Sequence, residues 1–200
     1  MKKHKNSNRL NGKDLMNVGI FTALFLVIGI GIACTIGLIP IGFILLPCIQ
    51  GIVLGIPMML YFTKITKFGM VLIMVIVNGV MMVLTGMGFD SLIYGTILAL
   101  IAELILKSGK YQSANSAVLA FAVVSMGACA NYIHWINASA EFLKKNAASF
   151  GEAYMYTIAG YFKYWWVFPL VVLSAFVSGL FGGLLGKSVL KKHFVRSGLI

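Results

Sequence analysis

The polar side chains able to do chemistry in this chain are few, and they gather at a handful of places. Asn131, His134 and Asn137 stand three apart, with Trp135 beside the histidine. An amide, an imidazole, a second amide and an indole therefore fall along one short stretch. Asp90 adds a carboxylate. Asn78, seven residues before Thr85 and on the same helical face, adds another amide. Groups of this kind, set among apolar walls, hold a small polar or aromatic solute without transforming it. Taken singly, each has a plainer reading. His134 caps a helix end, Asp90 sits in water, and Trp135, Trp165 and Trp166 belong to a membrane–water belt of aromatics. Taken together, Asn78, Asp90, Asn131, His134, Trp135 and Asn137 read as a substrate-binding cluster.

Catalysis finds little to work with. The chain has no HExxH, no P-loop and no GxSxG, and His4, His134 and His193 are far apart. Cys34, Cys48 and Cys129 are odd in number and all lie in apolar runs, which suits neither a disulfide framework nor a metal pair. The chain reads as no enzyme, with no metal and no cofactor. Glu103 stands apart as an acid inside an apolar run. Lys107, four residues on, is its simplest partner. A sharper reading makes Glu103 an ionisable site, carrying a proton or meeting a cytoplasmic partner.

These residues must be positioned by a membrane domain. Of the 200 residues, 60% are hydrophobic and only 10% charged, against about 25% charged in ordinary soluble domains. Such a chain cannot cover a soluble surface, and it is far too apolar to be disordered. The formal net charge of +11 would fit nucleic acid, but the basic residues come in short clusters between long uncharged stretches. That pattern belongs to membrane topology, not to a nucleic-acid groove.

A helix needs about 20 residues to cross the hydrocarbon. The uncharged run over 15–63 is too long for one crossing and suits two, turned at Pro40 and Gly42. Pro47 and Pro57 should bend the second, and their freed carbonyls need partners within the protein. The expected spans are 15–37, 43–62, 68–87 (before a turn-like Gly86, Met87 and Gly88), 91–106, 113–136 and 164–186. An outer loop over 137–163, amphipathic and aromatic, reads as a lid or as a helix lying in the interface. The fold class expected is thus an all-α, six-transmembrane-helix bundle over 15–190, with basic tails over 1–14 and 191–200. With six spans, Lys144, Lys145 and Lys163 fall on one side and the other thirteen Lys and Arg on the opposite side. The bias places both termini in the cytoplasm of a multi-pass cell-membrane protein.

Small residues recur four apart at Gly19 and Ala23, Gly29 and Ala33, Gly51 and Gly55, Gly95 and Ala99, Gly179 and Gly183, and Gly182 and Gly186. Each pair lets two helices approach closely, and internal packing is the simplest use. Gly19 and Ala23, on the cytoplasmic half of the first span, best suit docking of another membrane subunit.

The pattern resembles the membrane-embedded substrate-binding (S) component of an energy-coupling factor (ECF) transporter, closest to the Trep_Strep-type branch. The resemblance is carried by LNGKDLMNVGIFTALFLVIGIG (10–31), PIGFILLPCIQGIVLGIPMMLYFTKITKFG (40–69) and NGVMMVLTGMG (78–88), and it covers nearly the whole chain. It implies a six-helix bundle that binds a vitamin or other micronutrient near its outer face. It also implies a transmembrane coupling subunit and cytoplasmic ATPases as partners. Gly19 and Ala23 match the positions where that family's first helix carries Ala-x-x-x-Ala and meets the coupling subunit; glycine replaces the first alanine. Two other readings stand beside it: a stand-alone proton-coupled carrier using Glu103, and a structural or regulatory membrane protein without a solute.

Overall fold

The computed structural model describes residues 10–85 and 88–191. The expected tail residues Lys2, Lys3, Lys5, Arg9, Lys192 and Arg196, His4 and His193, and the turn residues Gly86 and Met87 lie outside that set. Every regular element among the described residues is helical.

Helix α1 (Gly12–Ile36) opens on a capping box, in which Asn11 accepts the Asp14 N–H and Asp14 accepts the Asn11 N–H, both at 2.9 Å. The helix therefore begins inside the stretch expected as tail. After a short turn, Pro40 starts α2 (Pro40–Val53), where its missing donor costs nothing. A break at Leu54 separates α2 from α3 (Gly55–Phe62), and the two axes differ by 42°. Pro57 explains the place, because it has no N–H for the carbonyl one turn back. Pro47, expected to bend the span, instead sits within a continuous α2. Next come α4 (Met70–Leu84) and α5 (Asp90–Ser108), followed by α6 (Ala114–Ser125), which tightens into a 3-10 helix (Met126–Trp135). The expected loop over 137–163 folds as α7 (Ala140–Phe150) and α8 (Glu152–Phe162), hinged at Gly151 with φ +87°. Helix α9 (Val167–Val189) closes the chain.

By length and apolarity, four segments can each cross a bilayer: Gly12–Ile36, Asp90–Ser108, Ala114–Trp135 and Val167–Val189. The bent pair α2–α3 makes a fifth when counted as one. Helix α4 is apolar but has 15 residues, about 22 Å of rise against about 30 Å of hydrocarbon. Four to five spans are thus evident where six were expected, and the difference rests on α4 and on whether the bent α2–α3 pair crosses as one.

Cross-links define two ends of the bundle. Lys67 meets Asp14 at 2.7 Å, Glu103 holds the start of α4, and Lys187 donates to Asn115 at 2.8 Å. This end gathers Lys13, Lys64, Lys67, Lys107, Lys110, Lys187 and Lys191, while Lys144, Lys145 and Lys163 lie at the other. One apolar core surrounds Met58, Tyr61, Met70 and Phe121 toward the lysine-rich end, and a second joins Tyr132, Trp135, Met155 and Phe162 at the hairpin end.

Most of the small-residue pairs serve internal packing. A Cβ on Gly182 would stand 2.1 Å from the Gly51 carbonyl oxygen, and one on Gly55 2.1 Å from that of Gly182. Helix α9 thus lies backbone to backbone on α2 and α3. Leu173, Val177, Phe181 and Leu184 on its other side stay exposed, as a lipid-facing surface would.

Candidate functional site

The hairpin end collects most of the polar residues singled out from the sequence. A 3-10 helix has three residues per turn, so Asn131 and His134 align on one edge. They face the first turn of α5. The Ser91 hydroxyl donates to the Asn131 side chain, and the His134 ring stands 2.7 Å from the Asp90 carboxylate. Gly88, at φ +80°, lets the chain pass beneath the imidazole, since a Cβ there would lie 2.8 Å from His134 Nε2. These four side chains therefore satisfy one another. His134 closes an interhelical pair and Asp90 stands in the first turn of α5, where a carboxylate is favoured by the helix dipole.

Trp135 is not a belt residue. It is only 7% exposed and packs edge-on against Phe43 and Phe142, with ring centroids 5.5 Å apart in each case. Trp165 (85% exposed) and Trp166 do remain on the surface, as belt aromatics do. Asn137 adopts left-handed backbone, φ +57°, which asparagine tolerates better than most residues. It turns the chain from the 3-10 helix into the hairpin. Beside it opens a cleft of about 330 Å³, lined by Trp135, Asn137, Ala138, Tyr156, Ala159, Gly160 and Lys163. Asn78 is not part of this group. It lies half-buried on α4, away from the cleft lining.

Sequence reasoning did not single out Lys163 as a cleft residue, because α8 is brought over the 3-10 helix only by tertiary packing. The hairpin is held down by Leu143, Met155, Ile158 and Phe162, all buried. The Tyr154 hydroxyl also donates to the Gly37 carbonyl at 2.5 Å, and burial pushes that phenol above its ordinary pKa.

At the other end, Glu103 is fully buried and does not pair with Lys107. Its Oε1 accepts the N–H groups of Gly69, Val71 and Leu72 at 2.9, 2.8 and 3.3 Å, and its Oε2 accepts the Tyr111 hydroxyl at 3.0 Å. The carboxyl thus caps the start of α4 from a neighbouring helix, satisfying donors that a helix leaves open. The Lys107 ammonium goes instead over the Phe68 ring, 5.9 Å from its centre. Burial, and then the Glu103 carboxyl, hold the Tyr111 phenol above its ordinary pKa.

Gly19 and Ala23 differ from the other small-residue pairs in being exposed, and nothing lies within 4 Å of where a Cβ on Gly19 would stand. Leu15, Met16, Ile20 and Val27 extend the same open surface along α1.

Residues 12–196 match the family model of Trep_Strep, described as a hypothetical bacterial integral membrane protein. Comparison with curated proteins and with solved structures brought no match.

Proposed function

The chain belongs to the Trep_Strep family of hypothetical bacterial integral membrane proteins, and from that premise we propose that it is the substrate-capture subunit of an ATP-driven, ECF-type importer. In this reading the chain crosses the cell membrane six times, α4 included, with both termini cytoplasmic. The lysine-rich end faces the cytoplasm, and the cleft at the hairpin end faces out, where it takes a vitamin or other small micronutrient. A coupling subunit docks on α1, and separate cytoplasmic ATPases supply the energy.

The observation that carries this reading is the pairing of two surfaces. An apolar-walled cleft with a few polar groups lies at the end poor in lysine. An unfilled small-residue stripe lies on α1, while Gly51, Gly55, Gly182 and Gly186 are packed inside. A carrier working alone would put its ionisable group where solute and water reach it. Glu103 is instead saturated by four protein donors, which favours a structural role.

The test is purification from native membranes in mild detergent. The importer reading expects an ATPase and a second membrane subunit to come with the chain. Recovery of the chain alone, with uptake retained in proteoliposomes that hold nothing else, would overturn it.

A further inference from the structure

We infer that the cleft under α8 selects a small planar solute carrying a negative charge, and that Lys163 is the group that reads the charge. The inference rests on the chain being a solute-binding subunit and names what that site takes.

Three observations converge. The cleft, about 330 Å³, lies at the small end of ligand pockets, which run from about 300 Å³ upward. That leaves room for one or two rings. Trp135 and Tyr156 supply aromatic wall, and Ala138, Ala159 and Gly160 leave the remainder without bulk, so the space suits a flat molecule.

The third is charge. Lys163 is the one ionisable cation in the lining, and no acid accompanies it. Asp90 is already engaged by His134 at 2.7 Å, and Glu141, in the first turn of α7, is exposed and outside the lining. Glu152 starts the helix that Lys163 ends, about 16 Å away along its axis. No carboxylate among the described residues pairs with Lys163. Lys163 is exposed at the rim of the cleft, and its three donors, with the Asn137 amide in the same lining, favour a carboxylate over a neutral or cationic group of the same shape by the modest margin of a solvent-exposed pair.

The experiment uses the full chain in nanodiscs of phosphatidylcholine, with benzoate, benzamide and benzylamine as probes of one ring and three charges. Thermal shift against probe concentration gives apparent affinities. Benzoate should bind roughly two- to fivefold tighter than benzamide, the margin expected for one solvent-exposed charge pair, with benzylamine weakest. Lys163→Met should abolish the preference, while Lys144→Met and Lys145→Met keep it. Gly160→Leu should weaken benzoate and benzamide alike. A Cβ at Gly160 would meet nothing of the protein within 4 Å, so the substitution should fill the cleft with the fold kept, which the unfolding temperature without probe checks. Equal affinity for benzoate and benzamide, no binding of any probe, or a preference that outlives Lys163→Met would each overturn the inference. If adding phosphatidylglycerol to the nanodiscs displaces benzoate, the anion is a lipid headgroup and the solute assignment fails. Co-purification of an ATPase tests the importer reading separately, because Lys163 lies at the opposite end from the lysine cluster.

Discussion

The Tyr132 hydroxyl donates a 2.6 Å hydrogen bond to the Phe43 carbonyl, the acceptor that Pro47 leaves open four residues along α2. A proline within a helix removes one donor and strands one acceptor, and in an apolar interior a stranded carbonyl is expensive. Helix α2 nevertheless runs continuously through Pro47. The missing amide is replaced by a phenol from the 3-10 helix, so the proline ties two distant segments together where it would otherwise have opened a kink.

Tyr132→Phe should therefore cost about 1–3 kcal/mol, the range for leaving a buried polar group unsatisfied. Thermal or denaturant unfolding in detergent measures it. A Pro47→Ala change restores an N–H for Phe43. Combined with Tyr132→Phe it should destabilise by less than the sum of the two single changes. Simple additivity would mean that the phenol does not serve that carbonyl.

The membrane character of the chain, the turn at Gly88, and the grouping of Asn131, His134 and Asp90 were legible from composition and spacing, whereas the first turn falls at 37–39, with Pro40 and Gly42 already inside α2. What the sequence did not disclose depends on contacts between remote positions. Glu103 has a plausible partner four residues away, and helical spacing points to it. The partners it takes, at Gly69, Val71 and Leu72, lie more than thirty positions upstream and become neighbours only when α4 packs on α5. The fold of 137–163 was hidden for a similar reason. Its two helices are short, and their stability comes from seating Leu143, Met155 and Phe162 against the second core. Trp135 looked like a belt residue because indole is common at interfaces, whereas Phe43 and Phe142 enclose it here.

Glu103→Gln should be tolerated, since an amide keeps an oxygen for the three backbone donors. Glu103→Ala should be markedly worse, at about 1–3 kcal/mol for each orphaned donor that water does not reach. Uptake that persists in a folded Glu103→Gln protein would remove the proton-carrier reading. The Tyr111 phenol adds a pH signature. Its pKa is raised on folding, so its contribution is intact below the unfolded value of about 10 and lost as pH climbs past it. The stability difference between wild type and Tyr111→Phe should accordingly shrink above that pH.

The three tryptophans give a direct test of how the molecule sits in lipid. Single-tryptophan variants in bilayers with brominated acyl chains should show strong quenching for Trp165, which is 85% exposed, and little for Trp135, which is 7% exposed. Comparable quenching of both would mean that the hairpin does not cover the second core.

Packed and exposed glycines should respond differently to enlargement. On Gly182 even a methyl group collides with the Gly51 backbone at 2.1 Å, and interhelical contact in lipid depends on such close approach. Gly182→Ala should therefore lower the unfolding temperature of the isolated chain, because α9 cannot move away from α2 without also giving up its close approach to Gly55 at the start of α3. Gly19 faces open space, and Gly19→Leu should leave that temperature nearly unchanged. If α1 receives a coupling subunit there, the same leucine should nonetheless reduce recovery of that subunit and its ATPases in a pull-down, with the cleft still binding its probes. A Gly19→Leu protein that retained every partner would show that the docking surface lies elsewhere, since a branched side chain at the centre of a glycine contact keeps two helices apart.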